Sequence, residues 1–327
     1  MIEALVTGRV ALDLYPEQSR RALEDVETFR QYAGGFAANV ATGLARLGVR
    51  TAVFSAVGDD GHGRHVRGFL EAEGVDCGWL ATDPERRTAL AFCEIWPPDD
   101  FPITYHRTPT CPDWEVSLDD AGVERDVAAA VPLLYVSGTA LARARSLEAM
   151  VALAELRAGG PHHTILDLDW RPMLWAGAED FAAAVRRVLP AATVVLGGDR
   201  EWAAAGLDPA APSAAVRVVK HGPDGCSVHR PDGSREDVAP IPVAVVNGLG
   251  AGDAFAAGWG HALLRGLDQP ADAANAAGAI VATRHPCSAA MPTRQELESF
   301  LRSGVLTDPA PGAQPPEARR QAPGAQP

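Results

Sequence analysis

Hydrophobic positions near the start of the chain follow two rhythms. Ala4, Leu5 and Val6 form a short apolar run, and residues 8–15 then alternate loosely between apolar and polar around Asp13. That pattern predicts one strand leading into a second. Phe36, Val40, Leu44 and Leu47 fall on one face of a helix that stops at Gly48, and residues 51–57 read as the next strand. Two strand-like runs, 88–96 and 103–107, flank the turn-forming cluster Pro97-Pro98-Asp99-Asp100. They predict a β-hairpin, expected to stand apart from the main sheet as a lid.

From residue 131 the rhythms alternate. Strands are expected at 133–136, 164–168 and 194–196, with helices near 147–156 and 181–189 between them. Such alternation is the mark of βαβ units and a mostly parallel sheet. Further strands are expected at 216–220 and 243–246, and helices at 254–264, 271–283 and 294–301. The predicted architecture is α/β: a doubly wound, mostly parallel sheet flanked by helices, with a small β-sheet lid from strands at about 8–15 and 88–107. It is expected to fill a single domain over 1–307. Residues 308–327 carry Ala-Pro-Gly-Ala-Gln-Pro twice, at 310–315 and 322–327, with too little apolar surface to pack, and are expected to be disordered.

Composition narrows the partners. With 327 residues, 47% hydrophobic and 22% charged, the chain can bury a sizeable core. A formal net charge of -13 argues against nucleic acid and against anionic membrane surfaces, both of which need a clustered basic face. No apolar stretch approaches the ~18 residues of a membrane span, and the first residues lack a basic-then-apolar leader, so a cytosolic location is expected. The five cysteines are odd in number and widely separated, without a Cys-x-x-Cys pair, which predicts reduced packing thiols. His62 and His65, between glycines, read as part of a solvated loop.

The most informative segment is 243–255, Val-Ala-Val-Val-Asn-Gly-Leu-Gly-Ala-Gly-Asp-Ala-Phe, an apolar run meeting a small-residue turn that opens into a helix. Backbone amides at such a helix start lack intrahelical partners and lie at the positive end of the helix dipole, so they suit an anion. Gly250 and Gly252 allow close approach, and Asp253 falls in the first helical turn. A carboxylate facing a bound phosphoryl group suits a hydroxyl whose proton it accepts; an ordinary helix-capping aspartate is the competing reading. A dinucleotide fingerprint fits poorly, because the sixth position counted from Gly248 is Asp253. A Walker loop is excluded: the chain has one lysine, Lys220, outside any such motif. That lysine, before the turn His221-Gly222-Pro223-Asp224-Gly225, is either a specific contact or an ordinary strand-end residue.

Two signatures, Gly34-Gly35-Phe36-Ala37-Ala38-Asn39-Val40-Ala41 and Gly250-Ala251-Gly252-Asp253, together resemble the ribokinase-like, or PfkB-type, carbohydrate kinases, and the resemblance runs from residue 5 to about 300. Finer features are similar to the branch that phosphorylates 5-dehydro-2-deoxygluconate in myo-inositol breakdown: residues 8–16, 99–107, 166–172, and 284–287 with 291–293. The resemblance implies ATP and Mg2+ as cofactors and a small sugar acid as substrate, phosphorylated on its primary 6-hydroxyl. It implies that Asp253 is the catalytic base, with Gly250, Ala251 and Gly252 stabilising the transferring group. Asp13, Gly34, Gly35 and Asn39 would hold sugar hydroxyls. Tyr105 and Arg107 would close from the lid, the arginine fork suiting a carboxylate, and Arg171 would reach the phosphate and the substrate. Asp169, Lys220, Gly222, Gly225 and Asn275 would line the nucleotide.

Three positions depart from the family pattern. Asn247-Gly248 stand where the family has Asp-Thr before the glycine turn, which bears on any monovalent-cation site there. Gly198-Asp199-Arg200-Glu201 keeps the acid of the magnesium-linked Asn-x-x-Glu motif and loses its amide, leaving Glu201 to act through water or Asp199 to substitute. Pro286 replaces a glycine beside the adenine side. Other sugars (2-keto-3-deoxygluconate, fructose, ribose) and a non-catalytic sugar-binding role are the alternatives, and a lid with an exposed face is a candidate homodimer surface.

Overall fold

Strand β1 (Ala4–Thr7) begins the chain in the interior of a large sheet and is buried along its whole length. Parallel neighbours cover it on both edges and helices on both faces, which is why it reads as an unbroken apolar run. After Gly8, Arg9 and Val10 the chain leaves this sheet and starts another with β2 (Ala11–Pro16), then β3 (Phe29–Gly34), paired antiparallel to it. The computed structural model describes residues 1–306, so the segment expected to be disordered, 308–327, lies outside the described residues.

Helix α1 (Phe36–Arg46) returns to β4 (Thr51–Gly58), followed by α2 (Gly61–Ala72) and β5 (Leu80–Asp83). His62 and His65, expected in a loop, belong to α2: Asp60 caps it by accepting a 2.8 Å hydrogen bond from the Gly63 amide, which outweighs the flanking glycines. The predicted hairpin exists as β6 (Leu90–Cys93) and β7 (Ile103–His106), shorter than expected and closed near its turn by the Trp96–Asp100 bridge.

The alternating half follows in order: α3 (Arg125–Ala130), β8 (Leu133–Ser137), α4 (Ala144–Glu155), β9 (His163–Asp167), α5 (Ala178–Val188), β10 (Val194–Gly198), α6 (Asp199–Ala205) and β11 (Val216–Lys220). Then come β12 (Cys226–His229), β13 (Arg235–Val238), α7 (Ala251–Arg265), α8 (Pro270–Ala282) and α9 (Arg294–Ser303). The strand expected at 243–246 is absent. Its residues alternate in exposure as a strand would, but they run beside the end of α8, where the Val246 amide donates to the Ala282 carbonyl, and no strand lies alongside to pair with them.

The main sheet has the order β13-β12-β11-β10-β9-β8-β1-β4-β5, antiparallel only at β11-β12-β13, and the lid has the order β3-β2-β6-β7. Side-chain alternation divides the core. Val6, Val53, Tyr135, Ile165, Leu196 and Val218 pack with Val40 and Leu44 of α1 and Phe255 and Trp259 of α7. Leu5, Phe54, Leu134, Leu166, Val195 and Val219 pack on the other face with Leu153 of α4, Val185 of α5 and Trp202 of α6. The fold is therefore the doubly wound α/β sheet with a separate small sheet that the sequence predicts. Chain direction across the sheet reverses at β1, and in such sheets ligands bind beyond the carboxyl ends of the strands at that reversal.

Candidate active site

Helix α7 opens at the reversal. Gly250, its N-cap, has φ 82°, and a Cβ there would stand 3.0 Å from Cys287, so glycine is required both for the left-handed backbone and for the close approach. Asn247 braces the turn from inside: its Nδ2 donates to the His285 carbonyl at 2.5 Å and its Oδ1 accepts the Leu249 amide at 2.9 Å. The Asn-Gly departure thus keeps the turn fixed by amide contacts. Among the described residues the amides of Gly252 and Asp253 have no acceptor, leaving two donors directed away from the first turn. Lys220, at the end of β11, brings its ammonium 3.7 Å from where a Gly252 Cβ would stand. Both oxygens of Asp167 hold this ammonium, at 3.0 and 3.3 Å. Burial pulls Lys220 down, but the Asp167 and Glu201 carboxylates outweigh it and keep it charged.

Asp253 accepts a 2.7 Å hydrogen bond from Asn39 Nδ2 on α1, so the two family signatures meet at one carboxylate. Burial, joined by the charge of Asp169, pushes this carboxyl up to about 6, against the Asn39 bond and the positive charges of Arg171 and Arg9. Asp13, on β2, faces the same cleft. Burial pushes it up to about 7, opposed first by Arg9 and raised further by Asp253. The glycine pair beneath has a steric cause: a Cβ on Gly34 would coincide with the Asp13 carboxyl, 2.0 Å from Cγ, and one on Gly35, at φ 85°, would lie 2.6 Å from the Arg9 carbonyl oxygen.

Three arginines approach this cleft, and they are not equivalent. Arg107 is buried, with both terminal nitrogens on Asp113, one at 2.8 and the other at 2.5 Å, and its plane over the Trp114 ring at 4.5 Å. Its fork is thus engaged by the protein itself, where the sequence reading expects it to meet the substrate. Arg171 donates from Nε to Asp169 at 3.0 Å and keeps 39% of its side chain exposed. Arg9, between β1 and β2, donates from Nε to Thr139 at 2.8 Å and from Nη2 to Asp169 at 3.2 Å, with Tyr105 of the lid above its guanidinium at 5.5 Å. Asp169 sits between the two arginines with a left-handed backbone, φ 37°. Burial alone would raise its carboxyl; Arg9 and Arg171 outweigh that and hold it low.

The remaining expected positions lie further along the same edge. Gly222 opens the turn after β11 with φ 61°, while Gly225, at φ 91°, is required by the Val238 carbonyl, 2.2 Å from where its Cβ would stand. Asn275, on α8, donates to the Ala239 carbonyl at 3.1 Å and lines a cavity of about 260 Å3 with Ile241, Asp272 and Phe300. Glu201 uses both oxygens on backbone amides, Gly198 at 2.7 Å and Trp170 at 3.2 Å, closing the N-terminus of α6. Asp199 lies outside the cleft, with His221 at 3.0 Å. Among the described residues no group of three or more His, Cys, Asp or Glu side chains forms a metal cage. Mg2+ in this cleft would be held chiefly by ligand phosphates and water, the usual coordination of that ion beside a nucleotide.

Sequence reasoning assigned no role to Arg9, Thr139, Asp113 or Asp167. Arg9 had a signal: a single arginine between two apolar strands, inside a run already singled out. Asp167 had one too, alternating with Asp169 at the end of a buried strand. Asp113 and Thr139 carry none, since only the fold brings them to their partners.

The fold is shared with solved proteins of known class. A pfkB protein from Polaromonas sp. superposes with a TM-score of 0.79 at 28% identity, covering 91% of this chain and 100% of that one. The fructokinase of Vibrio cholerae, solved with fructose, ADP and calcium, gives 0.78 at 26% identity over 92% and 99%. A curated relative, the 5-dehydro-2-deoxygluconokinase of Geobacillus kaustophilus, is 32% identical over 92% of this chain and 93% of its own. A model of the pfkB family carbohydrate kinases matches residues 1–294, and the chain belongs to that family of sugar phosphotransferases.

Proposed function

We propose that the protein transfers the terminal phosphoryl group of ATP, with Mg2+, to the primary 6-hydroxyl of 5-dehydro-2-deoxygluconate. The observation that carries this reading is the half-buried Asp253 carboxylate, held by Asn39 at 2.7 Å beside the two unpaired amides at the start of α7. In this mechanism Asn39 fixes the orientation of Asp253, and Asp253 accepts the proton of the attacking hydroxyl as the O–P bond forms. The Gly252 and Asp253 amides and Lys220 donate to the phosphoryl oxygens, stabilising charge in a site that water does not reach freely. Asp13 receives a sugar hydroxyl over the Gly34-Gly35 backbone. Mg2+ supplies charge neutralisation along the phosphates when bound. The named relative supports the sugar acid, and the fructokinase, solved with fructose and ADP, supports a fold that takes a sugar together with a nucleotide.

Two measurements test the proposal. Asp253→Asn should lower kcat by about three orders of magnitude or more while nucleotide binding stays near wild type. Undiminished turnover would remove Asp253 from the mechanism. A panel of 5-dehydro-2-deoxygluconate, 2-keto-3-deoxygluconate, fructose and ribose should give the highest kcat/KM for the first; faster turnover of a neutral sugar would sink the substrate assignment.

A further inference from the structure

We propose that Arg9 is the residue that selects a sugar acid over a neutral sugar, by taking the substrate carboxylate on its free terminal nitrogen; the inference rests on the sugar-acid reading above. Among the described residues Arg9 has acceptors for Nε (Thr139) and Nη2 (Asp169) and none for Nη1. The residue is 6% exposed, yet Nη1 is not among the buried polar atoms left without a partner, so it opens onto the cleft. Of the three arginines it alone combines burial with a terminal nitrogen that has no acceptor; the unpartnered nitrogen of buried Arg107 is its inner Nε. Both terminal nitrogens of Arg107 are on Asp113, and Arg171, which feels Tyr105, Glu201 and Asp253, keeps 39% of its side chain exposed.

Charge balance points the same way. Arg9 and Arg171 share one ion-pair partner, Asp169, with Asp253 acting on both from further off, so neither guanidinium has a carboxylate to itself. A desolvated guanidinium strongly favours an anionic partner, and a fork with one side already fixed loses little freedom in accepting one. Position fits as well. Arg9 is close enough to act on both the Asp13 and the Asp253 carboxyls, and its guanidinium lies over the Tyr105 ring. An extended six-carbon acid would then enter with its carboxylate at the β1–β2 connection and its far hydroxyl toward α7. Arg9 is thus a substrate-binding residue, separate from the proton transfer.

The test compares 5-dehydro-2-deoxygluconate with its neutral C1 carboxamide in wild type, Arg9→Gln and Arg9→Lys. Wild type should prefer the acid by tenfold or more in kcat/KM. Arg9→Gln should lower kcat/KM for the acid by about 10- to 100-fold, chiefly through KM. The same variant should lower kcat/KM for the carboxamide at least fivefold less than for the acid, any loss common to both substrates reporting the Arg9 charge on Asp253. An unchanged acid-to-amide ratio in Arg9→Gln overturns the assignment. If Arg9→Gln fails to fold, Arg9→Lys decides: a loss several-fold greater for the acid than for the amide supports the role, and equal losses overturn it. Failure of the substrate reading is seen separately, in wild type: no turnover of the acid sinks both, whereas acid turnover with the ratio intact in the variants sinks Arg9 alone.

Discussion

Asp13 is buried and Asp253 half-buried, the charge of Asp253 acts on Asp13, and both carboxyls are held above the ordinary range. A base must be ionised to accept a proton, so kcat/KM should climb about tenfold per pH unit below about 6 and flatten above it. Because the Asn39 hydrogen bond favours the carboxylate, Asn39→Leu should move that acid limb to higher pH; a pH–rate profile that stays in place would exclude this tuning. Asp13 has a stability consequence. Its folded value, about 7, lies above the unfolded one near 3.8, so the folded state binds the proton more tightly. Stability therefore falls as pH rises between those values, by about 1.4 kcal/mol per unit at most. Asp13→Asn should melt at a higher temperature than wild type at pH 8 and show little difference at pH 4. Thermal unfolding at the two pH values checks the sign.

The lid hairpin is held at its base by an ion pair. Arg107, one residue past β7, reaches Asp113, whose Oδ2 also accepts the Val10 amide at 3.1 Å, so a single carboxylate ties the lid to the β1–β2 connection. Asp113→Asn leaves the buried guanidinium uncompensated and should cost about 3–5 kcal/mol of folding stability. Denaturant unfolding measures that loss, and a cost below about 1 kcal/mol would show that the pair adds little. Gly34→Ala should act on the substrate: with its Cβ 2.0 Å from Asp13 Cγ it displaces that carboxyl, raising the sugar KM at least tenfold without changing nucleotide affinity. How legible these elements were depended on whether their signal is local. Helix α1 and strands β8 to β11 carry strong apolar periodicity, and each was readable. Strand β3 was not, because Arg30 and Gln31 face solvent on a half-exposed edge, and the run 243–246 misled because extended backbone alternates with or without a partner. At the site, Asn39 and Asp253, which meet at 2.7 Å, each follow a glycine turn visible in the sequence, whereas the pairing of Arg107 with Asp113, six positions on, is apparent only in the fold.

At the scale of the molecule, two sheets meet along one line, with the glycine turn of α7 on one side and the lid strand β2 on the other. The sequence conveyed this arrangement well, since the order of strands and helices fixes which ends converge. The connection between the sheets adds a kinetic property. Only Gly8, Arg9 and Val10 separate β1 from β2, and Gly8 carries φ 136°. The lid therefore has no slack at this point: any swing of β2 away from the main sheet carries Arg9 and Asp13 with it. Opening the lid and moving these two side chains are then one movement, and the expectation is that bound product leaves with it. Turnover should accordingly slow in proportion to solvent viscosity when sugar and nucleotide are saturating.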